Sequence, residues 1–522
     1  MRQTRRATLS ALASIIVAAV SAAHADAQVR VVNMIPRHLG NETFQNAEPT
    51  LAVNPRNPAK MAASAYAQGG DMCSRGVEAP IFTSSDTGKT WSLVCKIRVN
   101  SSSTLPPGDV SLRWADNGSA LFAALLWPLS PLTLQVFQTP DPMSPEDFIN
   151  VRSVDSVDQP DLEVATFRGR TRLYAAADFL GTTNNPGTAV VLVTGSDRSP
   201  QSDSALIPIE RRRTFGSNYA VRVAAHPSGV VYALFYSPRP SKDGPFVVED
   251  LVVVRDDSAA LGKTPFAALR DLPVIKADSS CDGRDGLPGF RVARCRVVPY
   301  PAFGDVAGFG NQRRLSANLS IEVDPANPRA VWVAWADSAD TNHYLLHVRR
   351  SLDAGRTWSN DLLTIPNATN PALAIAAAGN AGFLFQQLQK VGDTTRWVTR
   401  LFTSSDGFRT RRTYTMATTP ADNPKPILQP YIGDYLELRA VGNTFFGVFS
   451  ASNIPSNANF PNGVTYNRNA DFSTHLLKNQ HGGDTIGYSI DPFFFSVGPT
   501  ENPACPALRA AKNSRANDIG CR

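Results

Sequence analysis

Short apolar runs separated by polar turns recur along the whole chain, and they fall into seven similar units. Each unit opens with an acid or amide three residues before an apolar strand. The pairs are Glu48 before Leu51-Ala52-Val53, Asp109 before Leu112, Asp161 before Val164, Asn218 before Val221, Asn318 before Ile321, Asn370 before Leu373 and Asp434 before Glu437-Leu438. A turn follows, such as Asn54-Pro55-Arg56-Asn57-Pro58, Asp116-Asn117-Gly118 or Asp324-Pro325-Ala326-Asn327-Pro328, and then a second apolar strand such as Ala120 to Trp127 or Ala330 to Asp337. Third strands include Leu132 to Gln138, Tyr344 to Arg349 and Trp397 to Phe402. Behind the third strand stands an Asp in every unit: Asp86, Asp141, Asp197, Asp257, Asp353, Asp406 and Asp471, each 32 to 39 residues after its unit's opening residue. Short strands in repeated units of this size predict an all-β chain with radial repetition, a single seven-bladed β-propeller.

Two of those aspartates sit in the same eight-residue pattern, Ser84-Ser85-Asp86-Thr87-Gly88-Lys89-Thr90-Trp91 and Ser351-Leu352-Asp353-Ala354-Gly355-Arg356-Thr357-Trp358. The composition is that of a strand-to-strand turn, in which Asp accepts amide hydrogen bonds, Gly supplies a positive φ and Trp buries apolar surface below. A third copy, Ser404 to Arg411, keeps Ser, Asp and Thr and replaces Gly and Trp. The pattern resembles the Asp-box of the sialidase-like (BNR repeat) β-propellers, whose box residues are structural and whose six-bladed form is the alternative architecture. The resemblance implies a carbohydrate-active enzyme. The family's F/Y-R-I-P segment has no counterpart in Glu48-Pro49-Thr50-Leu51. Arg113, Arg222, Arg439 and Tyr435 lie on or beside innermost strands, and nothing in the sequence fixes them as the family's arginine clamp and nucleophile.

Arg2, Arg5 and Arg6 precede an apolar run from Leu9 to Val20 and then small residues, the order of a signal peptide, assigned here to residues 1–25. Residues 26–47 are an N-terminal arm, 48–500 the propeller and 501–522 a disulfide-linked tail. Val29-Arg30-Val31-Val32 can close the ring as an outer strand of the last blade, because closure removes exposed sheet edges. No other stretch is apolar enough for a membrane helix, so the mature protein is expected to be secreted or periplasmic, and a monomer. The net charge of +6 is spread over the chain. A nucleic-acid partner would need a basic stripe with interleaved aromatics, and none is seen.

The six cysteines pair most simply as Cys73 with Cys95, Cys281 with Cys295 and Cys505 with Cys521, one of fifteen connectivities. No metal-binding spacing, nucleophile elbow or phosphate loop appears. The spacing from Asn218 to Asn318 is 100 residues. The fourth unit looks complete near Ile275, which leaves Lys276 to Ala317 as an insertion pinned by Cys281 and Cys295.

The start of each innermost strand lies at the ligand-binding face of a propeller, so the opening residues form a ring at the channel mouth. With closure counted, Asp434, Glu48, Asp109 and Asp161 form an acidic crescent, with Tyr435 beside it, and these five are the candidate catalytic residues. Asn218, Asn318 and Asn370 form an amide crescent for ligand hydroxyls. Crowded carboxylates raise at least one pKa, as a general acid requires. They could also collect a calcium ion, although no cofactor is required, and the same residue types cap turns for purely local reasons. The expected function is a glycoside hydrolase or polysaccharide lyase; the alternatives are a non-catalytic glycan- or protein-binding propeller or a periplasmic scaffold.

Overall fold

Runs such as Leu251-Val252-Val253-Val254 and Leu121 to Trp127 are buried on both faces, so they form strands with neighbours above and below rather than strands with one wet side. The computed structural model describes residues 28–498, apart from internal stretches such as 98–105, 196–204, 213–219, 272–280, 300–318 and 424–431. Asn218, Asn318, Asp197, the signal segment, Cys505 and Cys521 lie outside the described residues. Val29–Gly498 form one compact unit.

Six sheets of four antiparallel strands follow one another in chain order. Sheet 1 comprises Asn46–Val53, Met61–Ala67, Ile81–Ser84 and Ser92–Val94; sheet 2 comprises Val110–Trp114, Leu121–Trp127, Thr133–Thr139 and Ile149–Asp155. Sheets 3 to 6 begin at Val157–Phe167, Val221–Ala225, Leu319–Asp324 and Ala368–Ile375. Sheet 7 runs Glu437–Val441, Thr444–Ser452, Ile490–Gly498 and then Gln28–Asn33, so the N-terminal strand is the outer strand of the last sheet, with Thr465–Tyr466 added parallel to it.

The first strand of each sheet packs beside the first strands of the sheets before and after it, and that of sheet 7 packs beside that of sheet 1. The apolar cores lie between consecutive sheets, including one that joins Leu51, Phe82 and Trp91 of sheet 1 to Phe446, Val448 and Phe494 of sheet 7. This all-β arrangement is consistent with the propeller expected from the repeat. No helix among the described residues is long and apolar enough to cross a membrane.

The N-terminal strand is fastened by buried polar contacts as well as by its sheet neighbours. Asp491 accepts from Asn33 Nδ2 at 2.7 Å and from Asn453 Nδ2 at 3.3 Å, and pairs with the buried Arg468. Asn33 and Asp491 are 458 residues apart in sequence.

Two sequence expectations are corrected here. The fourth strand of sheet 4 is Phe290–Pro299, inside the segment assigned to an insertion, and residues 257–271, expected to complete the unit, make turns and bends instead. The disulfide Cys281–Cys295 therefore ties that outer strand to the loop before it; Cys73–Cys95 is also formed. Asp471 belongs to a small three-stranded sheet, Asn469–Asp471, Leu476–Lys478 and Thr485–Ile486, inserted between the second and third strands of sheet 7. An Asp behind a short strand is too common a turn former to fix that register.

Candidate functional site

Alternate residues of a strand face one side, so each first strand sends every second side chain toward the space it shares with the others. Backbone amides define the level. Leu112 N donates to Thr50 Oγ1 (3.2 Å), Leu162 N to Ser111 Oγ (2.9 Å), Val223 N to Asp161 Oδ2 (2.8 Å) and Leu373 N to Ser320 Oγ (3.0 Å). Thr50, Ser111, Asp161 and Ser320 are thus equivalent, each acting as a bracket to the next sheet. By strand pairing, Arg222, Ala372 and Glu437 stand at the same level.

Two residues earlier come Glu48, Asp109, Gln159, Asn370 and Tyr435; two residues later come Arg113, Glu163, Glu322 and Arg439. Glu48, Gln159 and Asn370 each precede a proline, adopt φ of 56°, 49° and 55°, and sit where the pairing register slips. Such a bulge re-aims the side chain at the end of the strand.

The acidic crescent is therefore not one ring. Asp161 lies one level deeper than Glu48 and Asp109, and Gln159 holds the place assigned to it. Tyr435 rather than Asp434 belongs to the outer level; Asp434 is buried in the bend that precedes the first strand of sheet 7. Asn370 is fully buried, with its amide donated to Gln386 Oε1 and Gly433 O, both at 3.0 Å, so it fastens sheet 6 to sheet 7.

One cavity of about 50 Å³ is lined by the first strands of all seven larger sheets, through Thr50, Ser111, Asp161, Arg222, Glu322, Ala372 and Glu437 among others. Its charges are paired across the axis. Arg113 Nε donates to Glu163 Oε2 at 3.1 Å, and its Nη1 to Glu437 Oε2 at 3.3 Å. Arg439 Nη2 lies 2.6 Å from Glu437 Oε1, in ion-pair contact without hydrogen-bond alignment, and Arg439 Nε has no hydrogen-bond partner. Glu322 makes no ion pair among the described residues.

Burial works against the Arg113 charge, but Glu437, Glu163 and Asp161 outweigh it and hold its pKa above the ordinary value. Burial pushes Glu437 up to about 8, against the pull of Arg113. It also raises Glu163, and raises Glu322 well above the usual carboxyl range, helped there by Glu163. These groups interact closely enough to titrate as a set.

At the outer level Tyr435 Oη donates to Asp109 Oδ1 at 3.2 Å, and the Arg222 guanidinium lies 5.7 Å from the Tyr435 ring centre. Burial, and then the carboxylates of Asp109 and Glu48, keep the phenol well above its ordinary pKa, so it rests protonated. Glu163, Glu322 and Glu437 stand at the inner levels, and they are not among the candidate site residues named from the sequence. The available signal was a charged residue at alternate positions of otherwise apolar strands, as in Asp161-Leu162-Glu163 and Glu437-Leu438-Arg439.

The box turns lie elsewhere, at the ends of third strands. Asp86, Asp353 and Asp406 each accept from a Ser Oγ at 2.8 Å and a Thr Oγ1 at 2.7 Å. Two consecutive residues adopt positive φ in each box: Thr87 and Gly88, Ala354 and Gly355, Gly407 and Phe408. A Cβ on Gly88 would lie 2.2 Å from the Phe494 ring, so glycine there lets the first box approach sheet 7. In sheet 4 the capping carboxylate is Asp256, which accepts from Ser258, Ala260 and Phe266 amides, while the expected Asp257 pairs with Arg255.

Among the described residues, Cys73, Glu78 and Cys95 bring three ligand-type atoms together, but the two sulfurs are bonded to each other and cannot bind a metal.

No protein-family model matches the chain, and no curated protein does. Solved structures similar to it include a Penicillium chrysogenum α-L-arabinanase bound to arabinobiose and a Fusarium graminearum α-L-arabinofuranosidase. Each has a TM-score of 0.40 and 10% identity over 89% of this chain and 97% of the other. A NanB sialidase from Streptococcus pneumoniae gives a TM-score of 0.34 and 12% identity over 80% of this chain and 66% of the other. Likeness of that degree decides nothing about activity, which is read below from the residues of the site.

Proposed function

We propose that the chain is an exported, seven-bladed β-propeller, closed by its N-terminal strand after loss of residues 1–25, that acts on a carbohydrate at the mouth of its axial cavity. The observation that carries this reading is the hydrogen bond from Tyr435 to Asp109 at one level, with the high-pKa Glu437 two residues along the same strand. Paired groups whose environments push their proton affinities apart are what glycosidic bond cleavage uses.

In this reading Asp109, flanked by Glu48, takes the phenol proton as Tyr435 Oη attacks the anomeric carbon, since a protonated phenol is a poor nucleophile without a base. Glu437 gives its proton to the departing glycosidic oxygen. Water then attacks the glycosyl–tyrosine bond: Glu437 takes the proton the water sheds, and Asp109 returns the phenol proton to the departing Tyr435 oxygen. Arg113 and Arg439 hold Glu437 in place.

The test is hydrolysis of a polysaccharide and oligosaccharide panel by the purified protein. Asp109→Asn and Glu437→Gln should abolish turnover while keeping the fold, whereas Asp86→Asn should keep turnover. Unchanged turnover in both site variants would sink the reading.

A non-catalytic glycan-binding role is the second reading. It is favoured by the small cavity, since enclosed ligand pockets usually run from about 300 to 1,000 Å³. Binding of the same glycans without products would select it.

A further inference from the structure

Strands alternate in direction within each sheet, so third strands end where first strands end, on the side away from the mouth. The turns that leave the third strands of sheets 4, 5 and 6, residues 257–269, 351–358 and 404–411, meet in series there. Leu269 Cδ1 lies 2.8 Å from where a Cβ on Gly355 would stand, and Arg255 Nη1 donates to the Ala354 carbonyl, which joins the first turn to the second. Arg350 Nη2 lies 3.3 Å from where a Cβ on Gly407 would stand, which joins the second to the third.

These turns carry two kinds of residue that the fold does not require. Leu261 and Leu352 are 52% and 59% exposed. The box has no need of a leucine, since Ser85 and Ser405 hold the place of Leu352 in the other two boxes. One exposed leucine is ordinary, but these two stand on adjoining turns among cations. Lys263, Arg356, Arg409 and Arg411 are exposed and form no ion pair among the described residues. Arg411 lies over the Phe402 ring at 4.6 Å and Arg350 over the Trp332 ring at 4.8 Å; burial, and then the nearby Arg409, hold the Arg350 pKa below its usual value. Asp257 is paired with Arg255, and Asp353 and Asp406 are held by the Ser and Thr of their own boxes. With the Asp257 pair set aside, the cations Lys263, Arg350, Arg356, Arg409 and Arg411 face only the carboxylates Asp353 and Asp406.

We infer that this face docks on an anionic lipid bilayer, with Leu261 and Leu352 entering the boundary of headgroups and acyl chains and the cations meeting lipid phosphates. A soluble polyanion would account for the arginines but not for the leucines, which gain only by leaving water. Docked in this way, the protein turns its mouth away from the bilayer, toward the solution from which a ligand arrives. The inference stands apart from the carbohydrate reading, because it uses none of the residues of the axial site.

The test is flotation of the full exported protein with vesicles of phosphatidylcholine alone or of phosphatidylcholine mixed with phosphatidylglycerol. Binding should require phosphatidylglycerol and weaken as salt is raised. Leu261→Ser with Leu352→Ser should weaken it several-fold, and Arg409→Gln with Arg411→Gln about tenfold or more, with folding of both pairs checked by melting temperature. Failure to bind either vesicle, equal binding to both, or binding that all four changes leave intact would overturn the inference. It would also be overturned if the leucine pair bound as wild type and dextran sulfate displaced the vesicles, which would assign the face to a soluble polyanion.

Discussion

The box turns and the axial cavity use the same acidic residue types, and their surroundings drive the carboxyl groups in opposite directions. At the turns, Asp86, Asp353 and Asp406 touch solvent and are held by hydrogen bonds from neighbours up to four residues away; their pKa values are lowered, that of Asp406 to about 2. On the axis, Glu163, Glu322 and Glu437 lie among residues from other sheets, and burial raises all three. A carboxylate tied by local amides is spent as a structural acceptor. A buried carboxyl in an acid-rich cluster holds a proton that chemistry can use.

The largest expected effect lies on the axis. Asp109→Asn or Glu437→Gln should lower turnover by roughly 10²- to 10⁴-fold, the usual worth of a positioned acid or base, with little change in melting temperature. In Asp353→Asn the pattern should reverse, with full activity and a small loss of stability.

Next comes Arg113, which is deeply placed between Glu163 and Glu437. Arg113→Met leaves two buried acids without their partner and should cost about 3 to 5 kcal/mol in unfolding free energy, read by denaturant titration. Adding Glu163→Gln and Glu437→Gln should recover much of that loss. Stability that stays low in the triple variant would show that Arg113 acts through packing alone.

How much could be read beforehand divides along the same line. The boxes, two disulfides and the closing strand Val29-Arg30-Val31-Val32 were legible, because each is a local pattern or a statement about strand edges. The level of Asp161 was not, because Gln159 and Asp161 each stand three residues before an apolar residue, Leu162 and Val164, so the spacing alone does not choose between two frames of that strand. The fourth strand of sheet 4 escapes the pattern because the residues just after Asp256 form turns around its carboxylate, and the strand itself, Phe290–Pro299, carries three arginines, Arg291, Arg294 and Arg296, among its apolar residues. The Arg113–Glu437 contact spans 324 residues, and only the ring brings those side chains together.

A smaller effect is expected between sheets 4 and 5. His347 donates to Asp337 Oδ1 at 3.2 Å and Asp361 Oδ2 at 2.8 Å when protonated, with Arg296 on Asp337 and Arg349 on Asp361. Burial opposes the imidazolium, but Asp337 and Asp361 raise its pKa above 6.5. Its stabilisation is then fully present below pH 6.5 and fades as pH rises through the folded value. His347→Gln should lower the melting temperature at pH 6 by more than at pH 9; an equal loss at both would remove the charge from the explanation. The least effect belongs to Asp353→Asn, about 1 kcal/mol or less, since its hydrogen bonds are exposed to solvent and screening.

Infrared difference spectroscopy of the carboxylic acid carbonyl band, followed from pH 5 to 9 in the wild-type protein and in Glu437→Gln, tests the contrast between axis and turns most directly. Protonated acid should persist at pH 7, and Glu437→Gln should remove one component that titrates near pH 8, leaving the contributions of the other raised acids, Glu322 and Glu249, while Asp86→Asn leaves the band unchanged. A spectrum with every carboxyl group ionised by pH 6, or a band that survives Glu437→Gln unaltered, would contradict the assignment of Glu437 as the proton donor.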